Sequence, residues 1–250
     1  MKKIFLYILA GSLCFSACKK DDADTTYTEP ADIGVQNDYD NQAIAKFMNE
    51  NYLDAQGNIK AFSSTDTSDD NQTKLADLPH TTLPSGTIYF IRAGAQPADV
   101  PTPGYAIGST DIIRIMMRSK SYLAVNTDGN VAFQTGADFL NTIDGSTIPA
   151  VDPKFYYISD KDPLIVNATT DAAKQKSYYM IEGFNEALQK FQAFNKGNSE
   201  AYNLQGVIIV PSRAAFARDP YNNYTGSSLR NNSFVFNFQV YGTAPRPAGQ

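Results

Sequence analysis

Residues 233–241 read SFVFNFQVY, with Phe234, Phe236, Phe238 and Val240 at every second position. Successive side chains of an extended strand point to opposite faces, so this spacing predicts a strand with one wholly apolar, aromatic face. Residues 206–210 read GVIIV, a short continuous apolar run that predicts a strand buried on both faces. Before both comes FNEALQKFQAF at 184–194. There Ala187, Leu188, Phe191 and Phe194 form an apolar stripe at helical spacing, and Lys196-Gly197 offers a C-terminal stop.

Working outward, residues 87–91 (TIYFI) read as a strand, and in 111–118 (DIIRIMMR) Ile113, Ile115 and Met117 alternate onto one face. Residues 122–125 and 131–133 flank Asn126-Thr127-Asp128-Gly129, and Asp-Gly between two apolar runs is a strong hairpin signal. Residues 135–177 hold Pro149, Pro153, Pro163 and short apolar pieces, which predicts an insertion of loops and short strands. Further upstream, 38–58 predicts a helix with Ile44, Phe47, Met48 and Tyr52 on one stripe, a cap at Asp38 or Asp40, and Gly57 just past the end. Residues 61–82 turn polar and read as a linker, with Asp66, Asp69 and Asp70 as solvated linker residues. Strands, one helix, then strands again give an α+β expectation: a mostly antiparallel sheet wrapped around one main helix, with an N-terminal helical segment and an inserted loop region.

The blocks MIEGFNEALQKF (180–191), GVIIVPSRAAFA (206–217) and SLRNNSFVFNFQV (228–240) resemble, in order and spacing, the end of the FKBP-type peptidyl-prolyl cis-trans isomerases. Residues 85–98 and 108–117 look like that family's first two strands. The resemblance implies an FKBP-like domain over 85–243, acting on proline-containing segments of envelope proteins as an isomerase or folding helper that needs no cofactor. It assigns Met180 and Ile181 to a pair whose Ile amide binds the substrate carbonyl, and Phe184 to the pocket floor. Phe216, Phe236, Met117 and Phe133 match aromatic positions of the site, and Gln134 stands where the family has Asp. Phe216 and Met117 lack the family's hydroxyls and Gln134 lacks its charge. Each missing transition-state hydrogen bond costs on the order of 1 kcal/mol, so weak activity is implied. Alternating Phe in a strand also serves plain packing, and the residues alone leave pocket and core equally open.

The chain begins MKKIFLYILAGSLCFSAC. Lys2 and Lys3, an apolar run and the small residues Ser16-Ala17 give the order of a secretory signal over residues 1–17, too short to span a bilayer permanently. F-S-A-C resembles a lipobox, which implies cleavage before Cys18 and a membrane anchor through lipid on that cysteine. Residues 18–37 read as a polar, acidic tether. Lys20-Asp21-Asp22 resembles the Lys-plus-acidic signal that sends lipoproteins of Bacteroidetes-type bacteria to the surface. The expected location is the outer membrane, facing periplasm or exterior.

Formal charge is −5. Without Lys2 and Lys3 the chain carries 19 positive against 26 negative groups, and no basic cluster interrupts them. That balance speaks against nucleic acid as a partner. His80 is the only histidine, in a polar stretch, so Cys-His catalysis and a zinc site lack their usual groups. The alternative reading is a non-catalytic protein- or glycan-binding surface lipoprotein on a degenerate FKBP-like scaffold.

Overall fold

In the computed structural model, which describes residues 27–98, 104–145, 148–219 and 228–248, the alternating stretch lies inside a strand of 13 residues, Asn232–Ala244. Residues 1–26, with the expected signal, Cys18 and Lys20-Asp21-Asp22, lie outside the described residues, as does the Asn/Tyr-rich stretch 221–227. In chain order the helices are α1 (Ile33–Glu50), α2 (Pro163–Val166) and α3 (Glu182–Leu188). The strands are β1 (Asn51–Leu53), β2 (Ile59–Ala61), β3 (Thr81–Thr82), β4 (Ile88–Ile91), β5 (Tyr105–Ala106), β6 (Ile112–Thr127), β7 (Asn130–Phe133), β8 (Ala137–Asn141), β9 (Ala150–Val151), β10 (Gln192–Ala193), β11 (Gly206–Val210) and β12 (Asn232–Ala244).

The architecture is a curled antiparallel sheet with few helices. Its strand order is β3-β4-β11-β12-β6-β7, with β8 and β9 also pairing β6. β11 runs antiparallel to β4 on one side and β12 on the other, and all five of its residues are buried. Two layers explain that burial. Ile208 and Val210 join the aromatic cluster under α3, whereas Val207 and Ile209 pack against Ile44 and Met48 of α1. β12 splits the same way: Phe234, Phe236, Phe238 and Val240 face α3, and Val235 faces α1. A one-residue slip would exchange the two faces, so this alternation fixes the register.

The two strands expected at 111–118 and 122–125 are one, β6, 16 residues long. It turns into β7 through Asp128 (φ 51°) and Gly129 (φ 85°), the pair of left-handed residues that a type I′ hairpin requires. Asn126 Oδ1 accepts the Gly129 N–H at 2.8 Å. α3 lies close on the sheet because position 183 is glycine: a Cβ there would sit 2.4 Å from Thr87 Oγ1 and 2.8 Å from Val210 Cγ1.

Several expectations need correction. α1 begins at Ile33, capped by Asp32, whose carboxylate accepts the Gly34 N–H at 2.7 Å. Asp40 is therefore no cap. It is fully buried and accepts from the Ser212 N–H (2.9 Å) and Gln36 Nε2 (3.1 Å). The expected tether, where described, is fastened: Glu29 binds Arg230 Nε (2.5 Å) and Asn231 Nδ2 (2.7 Å). The Arg230 hydrogen bond holds the Glu29 carboxyl down to about 2. Tyr52 leaves the helical stripe for β1, and Gly57 (φ 85°) turns the β1–β2 hairpin. Residues 61–82 are more than a linker, since Leu75 is fully buried and Asp69, also buried, accepts the Ser63 N–H at 2.7 Å.

The helix expected over 184–194 is shorter than its stripe, and α1, at 18 residues, is the longest helix among the described residues. α3 stops after seven residues at Leu188, because tertiary pairing claims the residues beyond it. Gln192 and Ala193 pair with Ala106 and Tyr105, and the Phe194 N–H donates to the Val240 carbonyl at 2.9 Å. Phe191 keeps its place in the core, 4.9 Å from Phe238.

Candidate functional site

Four of the expected site residues converge. Ile181, the residue before α3, Phe184 in its first turn, Phe216 after β11 and Phe236 of β12 belong to one buried cluster, together with Met117 of β6. Phe184 stacks on Phe236 with centroids 4.1 Å apart. Phe216 meets Phe234 edge-on at 6.0 Å.

The cluster is closed. Phe184 and Phe216 are 2 % exposed, Phe236 1 %, and Ile181 and Met117 fully buried. The Ile181 N–H, the amide expected to receive a substrate carbonyl, donates to the Phe155 carbonyl at 2.8 Å. Phe155 and Phe139 come from the inserted region and fill the space. Phe139 lies 4.8 Å from Phe234 and 4.7 Å from Phe155, and Phe155 lies 5.6 Å from Phe216. Tyr156 stands edge-on to Phe184 at 6.4 Å and donates its hydroxyl proton to the Gly108 carbonyl. Burial pushes the Tyr156 hydroxyl pKa up strongly, so it stays neutral. Among the described residues the cluster therefore offers apolar contact, with no carboxylate, imidazole or thiol in it.

The other expected site residues lie elsewhere. Phe133 of β7 stacks on Tyr122 (4.9 Å) and meets Phe47 of α1 (6.1 Å), on the opposite face of the sheet. The β6–β7 register sends its side chain there, because Phe133 pairs with Ala124, which packs with Ala43 of α1. Gln134 is exposed and lines a hollow of about 710 Å³ with Tyr27, Tyr39 and Asp128. Met180 packs with Ile158 and Ile165 of the insertion and with Tyr179. Phe139 and Phe155 complete the cluster without having been expected there. The aromatic FYY after Pro153 was the one available signal, and nothing local indicates which ring turns inward.

A second hollow of about 330 Å³ opens on the α1 face between Phe47, Ile59, Tyr122 and Val235. Arg118 at its edge is taken by Asp144 (2.7 and 3.0 Å), and Lys120 by Asp138 (3.3 Å). His80 is exposed, its ring 5.1 Å from Phe90 and its Nδ1 2.8 Å from the Leu78 carbonyl. Among the described residues no group of three His, Cys, Asp or Glu is placed to hold a metal ion, and no helix is long and apolar enough to cross a membrane.

No protein-family model and no curated protein matches the sequence. Among solved structures, the fold is similar to that of a peptidyl-prolyl cis-trans isomerase from Pseudomonas syringae pv. tomato str. DC3000, at 10% identity over 87% of this chain and 99% of that one. The TM-score is 0.37, a likeness too slight to carry fold or function across.

Proposed function

We propose that the chain is an envelope-anchored, FKBP-like domain that binds proline-containing segments of envelope proteins as a folding helper, without efficient isomerase turnover. The observation behind it is the occupied Ile181 amide above a sealed Phe184. Isomerising an X–Pro bond means lowering a barrier of about 18–20 kcal/mol. An apolar pocket does so by taking the amide out of water and gripping its twisted form. A pocket already filled by Phe139 and Phe155 admits no such amide in this conformation. The anchoring part of the reading rests on F-S-A-C ending at Cys18.

A second reading, slow isomerase activity, is favoured by the convergence of Ile181, Phe184, Phe216 and Phe236, which the three sequence blocks imply. A protease-coupled prolyl isomerisation assay at micromolar chain separates the two. The expected rate is indistinguishable from the uncatalysed one. A several-fold acceleration that Phe184→Ala abolishes overturns the non-catalytic reading in favour of the isomerase.

A further inference from the structure

Phe155 reaches the aromatic cluster in an unusual way. Its backbone is left-handed, φ 70°, a region that a bulky L-residue avoids. Asp152, three residues earlier, is left-handed as well (φ 48°). Two such residues so close together mark a segment held in place by its surroundings rather than by its own preference. At the end of this path the segment delivers two groups to one place. Its carbonyl takes the Ile181 N–H at 2.8 Å, and its ring, 3 % exposed, enters between Phe139 and Phe216. A carbonyl acceptor and a compact apolar side chain are what an extended peptide offers an apolar site with one convergent donor.

Asn185 Nδ2 donates to the Tyr156 carbonyl (3.2 Å) and the Asp152 N–H to the Ile113 carbonyl (2.9 Å), and a further hold on the segment comes from outside the cluster. Arg246, beyond β12, pairs with Asp152 at 2.5 Å and lies 4.2 Å from the centre of the Tyr157 ring. The same guanidinium donates to the Thr110 carbonyl (2.8 Å) and the Asp111 carbonyl (3.3 Å). One side chain thus fastens both ends of residues 152–157 to the two residues that lead into β6.

We infer that residues 153–156 are a built-in occupant of a peptide groove walled by Ile181, Phe139, Phe216 and Phe184, fastened by Arg246, and that their displacement admits an extended peptide. The inference rests on the proposed reading for the kind of peptide, a proline-containing one, and on the geometry for the occupant. Phe155 is then a stand-in ligand and Arg246 a positioning residue.

The test compares the unaltered chain with Arg246→Gln, which loosens the fastening, and Phe155→Gly, which removes the ring and suits the left-handed backbone. Amide exchange is followed at Ile181 and, as a reference for the whole sheet, at Ile208. The probes are the blocked tetrapeptides Ala-Leu-Pro-Phe and Ala-Leu-Ala-Phe. In both variants Ile181 should exchange at least ten-fold faster while Ile208 is unchanged, and Ala-Leu-Pro-Phe should shift the Phe184 ring resonances saturably. Loss of protection at Ile181 and Ile208 together, or no change at Ile181, overturns the inference and makes the segment ordinary core. Local opening with neither peptide bound also overturns it. Local opening with both peptides bound alike upholds the occupant and overturns the proline reading.

Discussion

Phe184 of α3 and Phe236 of β12 lie ring on ring, with centroids 4.1 Å apart and planes 24° from parallel. The contact joins the helix to the centre of the sheet, and both rings are sealed from solvent. Phe184→Ala should therefore carry the full cost of a buried aromatic, about 3–5 kcal/mol. Urea unfolding of the variant measures it. A loss under about 1 kcal/mol would mean that the ring faces an open cleft.

Adding the polar groups found in FKBP-type isomerases should hurt rather than help. Phe216→Tyr puts a hydroxyl where Phe155 and Phe234 pack, and a buried hydroxyl without a partner costs about 1–3 kcal/mol. Gln134→Asp is exposed and should change stability by less than about 0.5 kcal/mol. The two positions lie in separate surroundings, so their effects should add. The double variant should melt lower and gain no isomerase rate. A gain in rate at unchanged melting temperature would reopen the catalytic reading.

Gly183→Ala tests how tightly α3 sits. Alanine is normally the better helix residue by about 1 kcal/mol, but its methyl would meet Thr87 Oγ1 and Val210 Cγ1 well inside contact distance. Overpacking of this kind costs about 1–3 kcal/mol, so net destabilisation is expected. Stabilisation in a thermal melt would show that α3 stands further from the sheet.

Buried Asp40 should leave a mark on the pH dependence of stability. Desolvation raises its carboxyl above the ordinary range, against the pull of the Ser212 and Gln36 hydrogen bonds. An acid whose folded value lies above its unfolded value holds its proton more tightly when folded. Its contribution is complete below the unfolded value and is lost as pH rises through the folded one. Asp40→Asn should therefore lose less melting temperature than the unaltered chain between the ordinary carboxylate range, about pH 4, and neutrality. Parallel profiles for the two proteins would show that Asp40 does not titrate there.

Anchoring is tested by Cys18→Ala, which should abolish fatty-acid labelling and release the chain from the membrane fraction. Continued labelling would remove the lipoprotein reading.

Elements whose pattern coincided with their partners' needs were legible in the sequence. The strict alternation of 233–241 and the run 206–210 became β12 and β11 because each face already matched a layer. Asp128-Gly129 fixed a turn through its own backbone preference. Legibility failed where distant partners overrode local preference. The helical stripe through Phe194 was cut when Tyr105 and Ala106 paired with Ala193 and Gln192, and Tyr52 went to a strand opposite Lys60. In the candidate site, Ile181, Phe184, Phe216 and Phe236 share one buried cluster, while Phe133 fell on the other face through register alone. Phe155 could not have been placed, because its position depends on a left-handed backbone that its residue type disfavours.

The clamp on Glu29 also sets a leash. Arg230 and Asn231 hold Glu29 at the start of β12, and Tyr27 is held by Gln36 (2.7 Å) and Asn231 (3.2 Å), so the chain is fastened well ahead of the first turn of α1. If the lipid is on Cys18, the nine peptide steps to Tyr27 reach at most about 32 Å when fully drawn out. That is comparable to the width of a small folded domain. The body would then work within one molecular diameter of the bilayer, and a pull from the membrane would enter the fold through Tyr27 and the arginine–carboxylate pair beside it, at the root of its longest strand ladder.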